Sequence, residues 1–368
     1  MTAFDAIDHM HMAQALRLAE RGLYTTQPNP RVGCVIARGE HVVGSGWHRR
    51  PGEPHAEVFA LREAGERSRD ATAYVTLEPC AHHGRTPPCA DAMLAAGLAR
   101  VVVACEDPFP EVAGRGIALL RAGGVSIAVG LLRDAARELN RGFFSRIERA
   151  RPWVRLKLAT SLDGRSALAN GESKWITGEA ARADAQHWRA RSSAILTGSG
   201  TARNDNPHLT VRFENVEFRP PLRVLFDTRL DALHADANLL DGSAPTLIFH
   251  ANSASPGHAG YAQAERAGAA LCNGRIALVP AMQALVARGI NELQVEAGPA
   301  LCGALFDAGL VDELLWYVAP LLLGDTARPA MMLHPLPDMA TRRPLTLIEQ
   351  RQVGADLRLL LRPTQGTA

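Results

Sequence analysis

Apolar positions in the first 145 residues alternate between two periods. Residues 5–22 place Ile7, Met10, Ala13, Leu16 and Leu18 at helical spacing and stop at Gly22, which predicts an amphipathic helix. The turn PNP at 28–30 precedes Val32 to Ile36, a short continuous apolar run that reads as a buried strand. The same alternation continues with a helix at about 55–66, a strand YVTL at 74–77, a helix at about 89–97 and a strand VVVA at 101–104. A helix near 115–122, a strand VSIAV at 125–129 and a helix at 132–144 complete the half. Helices interleaved with short apolar strands predict an α/β layered sheet.

Residues 146–152 are charged and end in proline, and the expected boundary falls there, giving domains 1–147 and 148–368. A strand WVRLKLA opens the second half at Trp153. Further strands are expected at 194–197, 222–227, 245–249, 292–296 and 313–318, mixed with helices, whereas 251–275 and 325–343 read as loops with short helices. No internal repeat is evident.

The 368 residues suffice for two cores, and a chain that is 47% hydrophobic and 21% charged is globular. Basic and acidic residues number 40 and 38, so this near-neutral chain offers no electrostatic case for a nucleic-acid or membrane-surface partner. The first twelve residues lack the apolar segment of a secretory leader. The run at 314–323 is too short to span a bilayer and contains Pro320. A cytoplasmic protein is expected. Six cysteines in a chain this long do not make a disulfide scaffold. Cys34 and Cys105 sit in apolar runs as core thiols, but Cys80 and Cys89 each follow a proline in a loop beside histidines.

Three strings in the first half converge on metal chemistry: His55-Ala56-Glu57, Glu78-Pro79-Cys80 and Pro87-Pro88-Cys89. A catalytic zinc needs three protein ligands and an open position for water, which one imidazole and two thiolates supply. His55 opens one expected helix and Cys89 another, and a helix N-terminus favours thiolate over thiol. Glu57, two residues beyond a ligand, is placed to carry protons as the catalytic residue. A structural zinc with His82 or His83 as fourth ligand is the other reading of the same cluster.

In the second half, the segment from Val295 to Ala304 (VEAGPALCGA) is a strand, a glycine turn and a helix opened by Pro299, a geometry that suits phosphate. It is not G-x-G-x-x-G, nor is GSGT at 198–201, so a Rossmann assignment is not warranted.

The order HAE…EPC…C resembles the cytidine-deaminase superfamily signature, although eight residues separate Cys80 from Cys89 where P-C-x-x-C is common. The string TLEPCAHHGRTPPC, with PNPRVGCVI before it and DPFPEVAGRG after it, is similar to the bacterial bifunctional riboflavin-biosynthesis deaminase/reductases. KLATSLDGRSAL, GESKWITG and the run from Arg189 to Arg212 resemble the reductase domain of that family. Ala81 stands where Ser is expected and Asn204 where Ala is common.

The resemblance implies a cytidine-deaminase-like αβα sandwich followed by a dihydrofolate-reductase-like α/β domain. It implies one Zn²⁺ per chain on His55, Cys80 and Cys89, with NADPH as cofactor. The substrates are small pyrimidine ribose phosphates. The first half removes the 2-amino group of the ring, and the second reduces the ribosylamino group, as its ring-opened imine, to a ribitylamino chain. Asn29 and Arg85 are the implied deaminase substrate contacts. Ala159, Trp175, Thr201, Asp205, Thr228 and the turn Gly298, Pro299, Ala300, Leu301, Cys302, Gly303 and Ala304 are implied for NADPH. Ser173, Arg189, Leu209, Arg212 and Glu296 are implied for the reductase substrate, with Arg189 and Arg212 suited to its phosphate. Lys157 and Asp163 lie near the chemistry by motif without an assigned role. The family implies a homo-oligomer, a dimer being favoured, and neither a nucleic-acid nor a membrane partner.

Overall fold

The computed structural model describes residues 4–81 and 88–364. The chain separates into two compact units, Met1–Ala150 and Arg151–Ala368. The expected division after residue 147 falls inside the last turn of a helix, three residues short of this boundary.

The first unit runs α1 (Ala6–Glu20), β1 (Gly33–Arg38), β2 (His41–Trp47), α2 (Ala56–Ala64), β3 (Thr72–Val75), α3 (Cys89–Ala95) and β4 (Arg100–Val103). It continues with α4 (Arg115–Ala122), β5 (Ser126–Val129), α5 (Arg133–Leu139) and α6 (Arg141–Glu148). Its sheet has the order β2-β1-β3-β4-β5; β1 pairs antiparallel with both β2 and β3, and β3, β4 and β5 run parallel. The period of two in each strand builds both layers. Cys34, Ile36, Ala73, Val75, Val101 and Val103 face α2, α3 and α4, while Val35, Ala37, Tyr74 and Val102 face α1, α5 and α6. Both faces are covered, which is why the strands read as continuous apolar runs.

Two expectations differ from the fold of the first unit. The strand β2 was not anticipated, because HVVGSGW carries glycines. Those glycines are where α2 lies on the sheet: a Cβ at Gly44 or Gly46 would fall 2.2 Å from Ala60 O or 2.4 Å from Ala56 O. The single helix expected at 132–144 is broken at Asn140. That residue leaves helical geometry (φ −108°, ψ 19°), and its amide exchanges two hydrogen bonds with the backbone of Arg31, at 2.7 and 2.8 Å.

The second unit contains β6 (Trp153–Ser161), β7 (Arg165–Ala167), α7 (Glu179–Arg191), β8 (Ala194–Gly198), α8 (Ser199–Asp205), β9 (Leu222–Phe226) and β10 (Thr246–Ala251). Then follow β11 (Glu265–Ala269), β12 (Leu271–Cys272), β13 (Arg275–Ile276), α9 (Leu278–Ala287), β14 (Glu292–Val295) and α10 (Pro299–Asp307). The unit ends with β15 (Glu313–Ala319), β16 (Arg328–Pro329), β17 (Leu345–Val353) and β18 (Asp356–Pro363). A nine-stranded sheet has the order β11-β10-β9-β8-β14-β6-β15-β18-β17, parallel from β11 to β15 and antiparallel at the β18-β17 end. The region 251–275 holds more strand than its Gly- and Ala-rich composition implied, since β11 extends the parallel edge. Val154, Leu156, Ala194, Leu196, Val224 and Leu247 pack on α9 and α10, and α7 packs on Leu315 and Tyr317. Within each unit, the parallel strands end at a common edge, where loops can carry a site. No helix among the described residues is long and apolar enough to cross a membrane.

Candidate active sites

In the first unit, α2 and α3 bring the three expected ligands together. His55 is the N-cap of α2, in extended conformation (φ −74°, ψ 166°). Pro88 caps α3, so Cys89 is its first residue. Cys80 leaves the end of the β3 strand loop, and its carbonyl and thiol accept the backbone N–H groups of Ala90 (3.2 Å) and Cys89 (3.4 Å). His55 Nδ1 lies 3.6 Å from Cys80 Sγ and 3.3 Å from Cys89 Sγ. All three ligand atoms fall within 4.8 Å of one another. A tetrahedral ion with bonds of about 2.0–2.3 Å spaces its ligands by about 3.6 Å, so this donor set fits zinc. Glu57 is only 3% exposed, and its Oε2 has no hydrogen-bond partner. A buried carboxylate oxygen left open beside two thiols and an imidazole is what a proton carrier at a bound water requires.

The electrostatics follow from this packing. The Cys89 thiol donates to Cys80 and, together with His55, holds Cys80 down at about 4, while Cys89 is pushed up by the same hydrogen bond. Hydrogen bonding to Cys80 raises His55 to about 9 against the opposing effect of burial. Burial raises Glu57, with His55 pulling the other way. Closing a site of one neutral imidazole and two thiolates therefore expels protons from both His55 and Cys89. Zinc uptake near pH 7.5 should release about two protons per ion, and affinity should rise with pH for as long as either His55 or Cys89 still holds its proton. Calorimetry of metal-stripped protein in buffers of different ionisation heat measures this; an affinity flat between about pH 6 and 9 would contradict it.

Glu78, the acid of the EPC string, is not part of this cluster. Its carboxylate accepts the N–H groups of Asp107, Gly114 and Ile117 at 3.3, 3.0 and 3.2 Å, tying the start of α4 beneath Pro79. Gly116 completes that contact, since a Cβ there would sit 1.8 Å from Pro79 O. Because the obstacle is backbone, Gly116→Ala should shift Pro79 and Cys80 and weaken zinc binding about 10–100-fold. Chelator competition tests this; unchanged zinc retention would show that Cys80 is held independently of α4.

His48 was not singled out in the sequence. Its ring meets His55 edge to face at 5.4 Å, its Nδ1 is 3.3 Å from Pro54 O, and its Nε2 is 3.1 Å from Asn29 Nδ2. Asn29 thus reaches the site through His48, a link across 19 residues that no local motif reveals. Arg85, with His82 and His83, lies outside the described residues.

In the second unit, a cleft of about 2120 Å³ runs along the ends of β6, β8, β9 and β14. This exceeds the usual volume for one small ligand, about 300–1,000 Å³, and is large enough for a dinucleotide with a substrate. Ala159, Trp175, Thr201, Asp205 and Thr228 line it, as do Ser173, Arg189, Leu209, Arg212 and Glu296. From the α10 turn, Gly298, Pro299, Ala300, Leu301 and Ala304 line it too. Cys302 and Gly303 do not. Cys302 is fully buried with its thiol donating to Ala297 O, and a Cβ on Gly303 would lie 1.9 Å from Met332 O. At 100° per residue, α10 turns these two positions away from the cleft, into the packing beneath it.

Arg189 and Glu296 form a bidentate pair, Nε to Oε1 at 2.7 Å and Nη2 to Oε2 at 2.8 Å, and Arg189 Nη1 also donates to Thr210 O. Arg189 uses three of its five N–H donors in these contacts, and the exposed Arg212 also lines the cleft. Burial would raise Glu296, but Arg189 outweighs it and holds the carboxyl at about 2. Lys157 lies in the same corner of the cleft, its amine pushed down by burial. Asp163 serves the backbone instead: it accepts from Ser161 Oγ and from the N–H groups of Leu323 and Gly324, at 3.2 and 2.8 Å.

Comparison with known proteins matches both units. Residues 5–105 match the cytidine and deoxycytidylate deaminase zinc-binding region, and residues 152–359 match the RibD C-terminal domain. The chain is 45% identical to the riboflavin biosynthesis protein RibD of Escherichia coli strain K12, over 96% of this chain and 99% of that protein. It is 44% identical to RibD of Haemophilus influenzae, over 99% of each. Solved structures of Acinetobacter baumannii RibD (form 2; TM-score 0.89, 43% identity) and of a Thermotoga maritima deaminase/reductase (TM-score 0.87, 29% identity) each cover 97% of this chain and are themselves 99% covered. With the zinc-ligand triad in one unit, the nucleotide-sized cleft in the other, and relatives this similar along nearly the whole length, the chain belongs to the RibD family of riboflavin biosynthesis proteins.

Proposed function

We propose that this bifunctional deaminase/reductase first hydrolyses the 2-amino group of 2,5-diamino-6-ribosylamino-4(3H)-pyrimidinone 5′-phosphate, then reduces the ribosyl group to ribityl. The product is 5-amino-6-ribitylamino-uracil 5′-phosphate. The observation that carries the reading is the buried, unpartnered carboxylate oxygen of Glu57 beside the convergent His55, Cys80 and Cys89.

Zinc held by those three ligands would acidify a water and position it against the ring carbon. Glu57 takes one proton from the attacking water and passes it to the ring nitrogen; it then moves the remaining proton of the new ring-carbon hydroxyl to the amine, so the C–N bond breaks and ammonia leaves as a C=O bond replaces it. Asn29, steadied by His48, contacts the pyrimidine edge.

In the second unit, NADPH would supply a hydride to C1′ of the ring-opened imine, while the imine nitrogen gains a proton. The start of α10 lines the cleft, and the free N–H groups of a helix N-terminus suit the cofactor's phosphates. The Glu296 carboxylate, ionised and fixed by Arg189, stabilises positive charge on the imine nitrogen. Lys157, beside them, is positioned to meet a carbonyl oxygen of the pyrimidine. Arg212 holds the substrate phosphate.

Mass spectrometry of products made from the diamino substrate tests the scheme. Without NADPH the ring amine should be exchanged for oxygen; with NADPH the product should also gain two hydrogens. Gain of hydrogens without loss of the amine would reverse the proposed order.

The same reading includes a cytoplasmic homodimer that binds neither nucleic acid nor membrane. The exposed Leu347 and Ile348 on the edge strand β17 support self-association.

A further inference from the structure

The cleft of the second unit ends, on its β9 side, in charges that the proposed reaction does not use. Arg203 on α8 and Arg229, just beyond β9, grip one carboxylate. Arg203 Nη2 binds Asp231 Oδ1, and Arg229 Nε donates to Oδ2 at 3.0 Å. All three residues line the cleft. Two guanidiniums on one carboxylate leave a net positive charge and hold the remaining N–H donors in a fixed arrangement, which suits a tetrahedral oxyanion.

The order of strands places this group relative to the cofactor. The hydride end must meet the substrate beside Glu296, Arg189 and Lys157, at the β14 and β6 ends. The turn at Gly298, just beyond β14, faces Thr201 on α8 directly after the neighbouring β8. The next strand outward is β9, which leads into Thr228 and Arg229. Strands are spaced about 4.8 Å apart, so a dinucleotide with its nicotinamide at β14–β6 and its pyrophosphate over the β14–β8 turn carries its adenosine ribose to the end of β9.

In many NAD-binding sheets, an acid near such a strand end accepts from the ribose hydroxyls. Here the acid at that place, Asp227, is 1% exposed. Its Oδ2 already accepts from Ala232 N–H (2.9 Å) and the Tyr261 hydroxyl (2.7 Å). The groups beside it that offer donors at the cleft wall are a hydroxyl, Thr228, and the paired guanidiniums.

We infer that Arg203 and Arg229, braced by Asp231, form the subsite for the ribose phosphate monoester that separates NADPH from NADH. The inference rests on the NADPH reading above and assigns its coenzyme specificity to this chain's own residues.

Dissociation constants of NADPH and NADH for the full chain, measured with wild type, Arg229→Ala, Arg203→Ala and the double variant, test it. Each single variant should weaken NADPH about 10-fold or more and the double variant about 100-fold, the range expected for lost charge-assisted hydrogen bonds. NADH affinity should stay within about twofold throughout, which also reports that the fold is intact. Arg229→Lys should recover part of the NADPH affinity. Equal weakening of both nucleotides, or no weakening of either, would overturn the assignment, as would a wild type that binds both equally. A wild type that binds neither nucleotide would instead overturn the reductase reading on which the inference rests.

Discussion

Replacing Glu57 by glutamine is expected to cut ammonia release from the diamino substrate by at least about 10³-fold, within the range for loss of a general acid–base group. NADPH oxidation should remain normal when the deaminated intermediate is supplied directly. Glutamine keeps the volume of the buried side chain but cannot shuttle the proton that Glu57 Oε2 is left free to carry. Zinc content should be unchanged, because the ligand atoms belong to His55, Cys80 and Cys89 and not to Glu57. The variant thus separates proton transfer from metal binding, whereas a ligand substitution removes both. Assaying ammonia and NADPH separately on the two substrates checks it; a deaminase within tenfold of wild type would show that another group carries the proton.

Arg189→Ala should have the opposite pattern, with the reductase lost and the deaminase intact. Its partner Glu296 is 14% exposed on the side chain, so removing the guanidinium leaves a carboxylate poorly reached by water. Breaking such a pair costs about 3 kcal/mol in the second unit. Loss of the groups that fix Glu296 should lower reductase kcat/KM about 100-fold. Urea unfolding and steady-state kinetics measure the two effects. The pH dependence gives a sign to check. Glu296 titrates at about 2 in the folded protein, well below the unfolded carboxyl value, so the pair's stabilisation is complete above the unfolded value. It is lost as pH falls from about 4 to about 2. The stability gap between wild type and Arg189→Ala should therefore be widest near neutral pH and narrow as pH falls, beginning where the unpaired, buried Glu296 of the variant takes up a proton.

Much of this arrangement could be read from local strings, and the rest could not for a definite reason. The strands β1, β3 and β4 are legible because both faces of the first sheet are covered, which makes their residues uniformly apolar. The metal ligands are legible because each is fixed by its own neighbours, a helix start or a proline turn. β2 was missed because its glycines look like loop residues, yet they are small to admit α2. The break at Asn140 is set by a partner 109 residues away, and Arg189 met Glu296 across 107. The latter pairing gives Arg189 a carboxylate to fix as well as the phosphate it was expected to suit. Glu78 is the converse case: its motif marks the metal site, but its hydrogen bonds serve the scaffold behind Cys80. Arg155 shows the same limit in the core. Written in the strand as one more charge, it is fully buried between Glu292 and Glu313 and lies over the Trp188 ring. Distances between such partners are properties of the fold, and no window of sequence contains them.

The most direct test of the account is one time course on the purified chain with the diaminopyrimidine ribosylamino phosphate and NADPH, following ammonia and NADPH together. Ammonia should appear first and NADPH oxidation should follow it to the same final amount, one of each per substrate consumed. NADPH oxidation that precedes ammonia, or ammonia with no NADPH oxidised, would contradict the claim that this chain performs deamination and then reduction.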